Sequence, residues 1–519
     1  MKKYIKLASL LLFAFLMNSC DENELLDLSP VGNISNEASY TSPSLIKLSV
    51  TGMYNAAQLG QYNSTNPNGG RGYLWGAAFV QQGDNRGEDV VNIAAFYQFT
   101  YQATYDPSTA NNVYYWVDGY RLINRCNLVI EGVTSAVSKG IITQAVGDDY
   151  IGQAKFLRAI THFELLTYFA RPYNFTASAS HAGIPYREVG IDTQAEVDAD
   201  LVKGRNTVAE CYAKVIADLN DAEAKITQTS DKGLATKNAA IAFKTRVYLH
   251  QRDWDKVIAE GSKISSAFSL TPNPNGPFVT EANFTNSESI FSIKHGKASG
   301  QNPGANGALA SQYKSRRLVC ISPIIWNNSS WLADDKRRAE GTMVETVAGI
   351  KYTNKYKDGT GLSDAAPVIR YAEVVLNMAE AYARKATPDL TKALTLLNSV
   401  RDRALANPAT QSYTAASFAT AADLVKAILV ERRIEFLMEG RRWSDIHRLQ
   451  NDDIAPIDGI PAKVGNGAIL ASMYTIGTPF AGPFAEGAIP SSNFRILWPI
   501  PLVETNNNPT LAAQQNPGW

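Results

Sequence analysis

Three stretches of the chain place core-type side chains on one face every three or four positions, a spacing that commits them to long helices packed on a shared core. In residues 111–133 that face runs through Trp116, Tyr120, Ile123, Asn127 and Ile130. In residues 150–173 it runs through Phe156, Ile160, Phe163 and Thr167, until Pro172 ends the helix. A third helix opens on Thr207 and Glu210, spaced as a capping box, and carries Val208, Tyr212, Val215, Leu219, Ala222 and Ile226 along one stripe.

Two later segments read as helix pairs. Residues 236–264 bring small residues at Ala239, Ala240 and Ala242, then Tyr248, then Asp253 and Trp254 opening a second helix. Residues 370–404 do the same with Ala379, Ala381 and Tyr382, then Asp389 and Ala393. Small residues let antiparallel helices approach, and the aromatic ring fills the gap near the turn. The pattern resembles tetratricopeptide pairs, but a separation of roughly 130 residues argues against one continuous array. The expected fold is mainly α: a tetratricopeptide-like helical-pair scaffold with long irregular loops and a few short strands. The scaffold spans about 111–266 and 366–450, loop regions span about 60–110 and 268–365, and residues 451–519 wrap it. Residues 46–519 form a single domain on this reading.

The N-terminus points to export. Lys2, Lys3 and Lys6 precede an apolar run from Leu7 to Met17, too short for a bilayer span of roughly 20 residues but suited to a secretory leader. The leader, 1–19, ends before Cys20, which is positioned as a lipid-attachment cysteine, and residues 20–45 read as a tether. The acidic run of residues 21–24 follows Cys20 directly. With the three leader lysines gone, 46 of the 49 basic residues face 49 acidic ones, a net charge of −3 that disfavours nucleic acid as a partner. Cys126, Cys211 and Cys320 are too widely spaced for a disulfide framework or a zinc site. No cofactor or metal is expected.

Residues 431–450, ERRIEFLMEGRRWSDIHRLQ, look most like an active site. Glu431, Glu435 and Glu439 would share one helix face, yet one helix cannot flank a scissile sugar bond with two opposed carboxylates. No Glu-x-x-His spacing for a di-iron site exists, and neither a GxSxG elbow, a P-loop nor an HExxH motif occurs. Local pairs Glu439–Arg442, Arg441–Asp445 and Arg432–Glu435 are in helical reach, with Trp443 as a plug. Apolar residues surround them, so the charges are expected to be buried, paired and structural rather than catalytic.

Four stretches carry a family resemblance: GQAKFLRAITHFELLTYFARPY, RYAEVVLNMAEAYAR, ILVERRIEFLMEGRRWSDIHR and LWPIPLVETNNNPTLAAQQNPGW. Together they resemble the SusD/RagB family of outer-membrane lipoproteins of Bacteroidetes, with Ala170 in place of a glycine and His447 where arginine or leucine is common. The resemblance implies a non-enzymatic lipoprotein on the outer surface of the outer membrane. It would bind a glycan and deliver it to a SusC-like TonB-dependent transporter; the alternative is the same scaffold binding peptides or another non-sugar nutrient. It also directs attention to loops 96–105 and 313–331. Sugar rings pack their C–H faces on exposed aromatics, and amides or arginines take the hydroxyls. The candidate platforms are Tyr97, Tyr101, Tyr313, Trp326 and Trp331, with Asp84, Asn85 and Arg317 as polar partners.

Overall fold

The structure, a computed structural model, describes residues 35–60, 70–296 and 302–519. The leader and Cys20 lie outside the described residues. The longer helices are α1 (Pro43–Leu59), α2 (Ala77–Asn85), α3 (Ala110–Ser138), α4 (Gln144–Phe169), α5 (Val208–Lys225), α6 (Lys237–Gln251), α7 (Trp254–Lys263), α8 (Tyr371–Arg384), α9 (Leu390–Arg401) and α10 (Ala421–Glu435), followed by the short α11 (Arg442–Arg448). The molecule is mainly helical with a few short strands, as the periodicity implies.

Local sequence sets the helix ends. Thr207 accepts from the backbone N–H of Glu210 and Glu210 reaches back to Thr207, so the expected capping box forms. Asp253 caps α7 and Asp389 caps α9, each accepting from the N–H three residues on. The α4 helix ends at Phe169, three residues before Pro172. Its residues from Gly152 to Phe169 are almost all buried, because α3 packs on one side and α5 on the other.

The two helix pairs adjoin in space although a long excursion of the chain separates them in sequence. Helix α7 lies on α8, and Tyr248, Leu249, Val257 and Ala381 share one apolar cluster. A Cβ on Gly261 would fall 2.4 Å from Met378 Sδ, so glycine sets how closely α7 approaches α8. The chain between the pairs loops out and returns, clamped by antiparallel pairing of β2 (Ser289–Ile293) with β6 (Ala366–Arg370). Within the excursion, β3 (Val319–Ile321) pairs with the earlier β1 (Val90–Asn92), and β4 (Val344–Val347) forms a hairpin with β5 (Ile350–Thr353).

The charged stretch is buried, as expected, but its partners differ. Helix α10 stops at Glu435, and Met438 (φ 62°) and Gly440 (φ 74°) turn the chain, so Glu439 is not on a common helix face with Glu431 and Glu435. The expected pairs of sequence neighbours do not form; apart from Arg448 on Asp445, three residues apart in one helix, the partners are distant in sequence. Glu435 meets Arg370 at 2.7 Å, Arg403 at 2.5 Å and Arg337 at 3.0 Å. Glu439 meets Arg370 at 2.9 Å and Lys355 at 2.7 Å, and Arg442 meets Glu88 at 2.6 Å. Arg441 reaches Glu164 at 3.3 Å, while Asp445 takes Arg432 at 3.0 Å and Arg448 at 2.8 Å. A buried ion left alone costs several kcal/mol, and the lattice avoids that by giving each of these carboxylates at least one cation. Trp443 is buried beside it, donating Nε1–H to the Thr167 carbonyl at 2.8 Å under the Arg86 guanidinium, 3.8 Å from the ring.

Candidate functional site

All five sequence-derived platforms lie inside the protein. Tyr97, Tyr101, Tyr313, Trp326 and Trp331 are all buried, as are Asp84 and Asn85, so none offers a ring face or a polar group to a sugar in this conformation. Each has a packing reason. Tyr101 donates its hydroxyl to the Val464 carbonyl at 2.7 Å and packs with Val91, Cys320 and Tyr352. Tyr313 stands 5.3 Å from the Tyr356 ring and points its hydroxyl at Asp84, 3.4 Å away. Trp326 and Trp331 meet edge to face at 5.3 Å, and the Arg338 guanidinium covers both, at 4.5 and 4.2 Å. Arg338 also donates to the carbonyls of both tryptophans, so the group is a core joint. Asp84 accepts from the Gly440 N–H at 3.1 Å, and burial pushes its carboxyl well above the usual range. Asn85 supplies its carbonyl to Lys463 Nζ at 2.7 Å. Only Arg317 stays partly exposed, paired with Glu345 at 3.1 Å.

The exposed groups of the same loops are the neighbours of those residues. Residues 95–101 form a helical turn, and its faces divide the aromatics: Tyr97 and Tyr101 turn inward, Phe96 is half-buried and Phe99 is 43% exposed. The Phe96 ring lies under the Arg71 guanidinium, 3.7 Å from its centroid, and its carbonyl is held by Asn111 Nδ2 at 3.1 Å. Gly307 packs against the backbone of residues 70–72. Arg316 is exposed and donates to Asn306 Oδ1 at 3.1 Å and Gln312 Oε1 at 3.3 Å. The charges of Arg71 and Arg316 both act on the Tyr97 hydroxyl, whose pKa burial raises despite them. Phe96 is thus a ring fixed under the planar Arg71 cation, and Arg316, bonded to Asn306 and Gln312, is a second, exposed cation whose charge reaches the same turn at Tyr97. The turn has two faces, and the rings named from sequence, Tyr97 and Tyr101, lie on its buried one. The i, i+3 spacing of Phe96 and Phe99 is the signal that separates the two.

This patch can hold a flat, hydroxylated ring by apolar contact and by directional hydrogen bonds. It holds no carboxylate pair, and the acidic residues of the 431–450 stretch are engaged elsewhere. Among the described residues no cluster of histidine, cysteine, aspartate and glutamate is arranged to bind a metal, and no helix is long and apolar enough to cross a membrane.

Two family models match the chain: one described as the SusD family over residues 321–519, the other as starch-binding, associating with outer membrane, over residues 41–249. The chain is 24% identical to SusD-like protein P38 of Formosa agariphila, across 89% of this chain and 95% of that protein. It superposes on the crystal structure of a SusD superfamily protein from Bacteroides fragilis with a TM-score of 0.73 at 26% identity, covering 91% of this chain and 99% of the other. A surface glycan-binding protein A from Bacteroides uniformis shares the fold at a TM-score of 0.67 and 18% identity, covering 92% of this chain and 99% of that one.

Proposed function

Because the chain belongs to the SusD family, we propose that it is a surface lipoprotein that captures a glycan at the Phe96 patch and passes it, uncleaved, to a SusC-like TonB-dependent transporter. The family is described as starch-binding and associated with the outer membrane. The leader and Cys20 support anchorage through lipid, with the domain facing outward on its tether. The observation that carries the binding reading is the half-buried Phe96 ring stacked under Arg71, with the exposed Arg316, bonded to Asn306, acting on the same turn at Tyr97. A sugar ring packs against this stack while Arg316 and Asn306 take its hydroxyls. Non-catalytic capture fits the engagement of Glu435 in structural ion pairs.

Affinity electrophoresis against a panel of neutral and charged polysaccharides, followed by calorimetry on the best ligand, tests this. Phe96→Ala and Arg316→Ala are each expected to weaken binding about tenfold or more, with Arg316→Ala leaving the melting temperature unchanged because that side chain is exposed. Retention of full affinity by both variants refutes the patch. Binding of peptides with no glycan bound refutes the glycan reading.

A further inference from the structure

A second cleft, of about 620 Å³, opens on another face, between the segment after α4, the N-terminal end of α5 and residues 492–517. Its walls include two phenylalanines, Phe175 (47% exposed) and Phe494, and two arginines, Arg171 and Arg205. In the central lattice the arginines meet carboxylates; these two form no ion pair among the described residues. Arg205 is tied down entirely by neutral acceptors. Its guanidinium donates to the carbonyls of Gly183, Gln514, Phe169 and Ala182 and to Asn516 Oδ1. Burial without a counter-ion lowers its pKa to about 10. Arg171 spends one N–H on the Ser491 carbonyl and lies 5.3 Å from the Phe175 centroid; the rest of its fork has no acceptor among the described residues. Burial lowers the pKa of His181, which also lines the cleft, and the charges of Arg205 and Arg171 add to that.

The nearest acidic groups are committed elsewhere. Glu210 closes the α5 capping box, and Asp458 accepts from the N–H and hydroxyl of Ser491 at 3.0 and 2.6 Å. The lining of the cleft thus holds two positive charges with no negative one, beside two rings and the exposed Gln514, whose Oε1 accepts from the Arg205 N–H at 2.6 Å. Planar forks with free donors match carboxylate and sulfate, and aromatic faces match a pyranose.

We propose that this cleft is a second saccharide site, selective for sugars that carry a carboxylate or a sulfate. Arg171 binds the anionic group directly, Phe175 and Phe494 flank the ring, and Arg205 supplies fixed positive charge from beneath. The proposal rests on the glycan-binding reading of the family but not on the Phe96 patch.

The test is calorimetry on the full mature chain with trigalacturonate, a sulfated carrageenan tetrasaccharide and uncharged galactotriose. Wild type and Phe96→Ala are expected to bind at least one charged sugar at this cleft. Arg171→Ala should weaken that binding about tenfold or more, and Arg171→Lys should recover much of it. Gln514→Glu places a carboxylate in the cleft from an exposed position and should weaken it as well, which guards against a folding defect in the alanine variant. Whichever charged sugar responds identifies uronate or sulfate. The proposal is overturned if neither charged sugar binds, if both Arg171→Ala and Gln514→Glu leave affinity unchanged, or if galactotriose binds equally well in an Arg171-dependent way. Should the best glycan keep full affinity in both Phe96→Ala and Arg316→Ala and in Arg171→Ala, the first patch and this cleft both fail for it; full affinity in the first two variants with loss in Arg171→Ala refutes the first patch alone, and the cleft then still stands.

Discussion

Glu435 has three guanidinium neighbours, those of Arg337, Arg370 and Arg403, and none comes from its own helix. Burial raises the carboxyl's pKa, but these cations outweigh burial and hold it well below the usual carboxylate range. Replacing Glu435 by alanine leaves buried positive charge uncompensated, so urea unfolding should show a loss of about 3–5 kcal/mol. Glycan affinity of the folded fraction should be unchanged, since the residue is remote from Phe96; a loss below about 1 kcal/mol would contradict the lattice. At the same scale, the two departures from the family pattern touch. His447 Nε2 lies 3.0 Å from the Ala170 carbonyl and donates to it in the neutral tautomer. The sequence shows both residues, yet 277 positions separate them, and only the folded chain reveals that they meet.

Helix α2 meets the turn after α10 glycine to glycine. A Cβ on Gly83 would lie 2.3 Å from the Gly440 carbonyl oxygen and 3.0 Å from its Cα, and backbone cannot swing aside as a side chain can. Gly83→Ala should therefore cost about 1–3 kcal/mol in thermal or urea unfolding, and a neutral result would show that the turn can yield. Elements of this kind were only partly legible. The long helices, the capping box at Thr207 and the stop before Pro172 follow from local periodicity and chemistry, so sequence suffices for them. The turn at 436–440 does not, because its apolar residues continue the helical pattern while Met438 and Gly440 adopt left-handed backbone. The aromatic loops fail for a related reason. Composition marks Tyr97, Tyr101, Trp326 and Trp331 as available rings, whereas burial depends on which face of a short turn meets the core. Arg338 across the two tryptophans is a tertiary event with no local signature.

Over the whole molecule, acid should unfold the protein earlier than its carboxylates alone would dictate. Burial lowers the pKa of His162 and His250 well below the usual value, and that of His295 and His447 to about 4. The unfolded chain takes up protons on these rings near pH 6.5, whereas the folded chain does not until about pH 4 for His295 and His447. Stability therefore falls as pH drops through that window, by about 3 kcal/mol for each of those two by pH 4. The carboxylates follow. Burial opposes ionisation of Glu88, but Arg442 and Arg433 hold its pKa at about 2, so its contribution is lost from the ordinary carboxylate range down to about pH 2. Urea unfolding at a series of pH values checks this, and a flat free energy between pH 7 and 4.5 would contradict it. This behaviour was hidden in the sequence, where five scattered histidines suggest neither a site nor a liability.

The lattice also bears on how such a chain can change over generations. Glu88 and Asp89 belong to the stretch matched by one family model, and the arginines that hold them, Arg442 and Arg433, belong to the stretch matched by the other. A lineage that exchanged one half for a relative's by recombination would bury mismatched ions at the seam. The two halves are thus expected to be inherited together, with any exchange at Glu88 or Asp89 answered by one at Arg442 or Arg433.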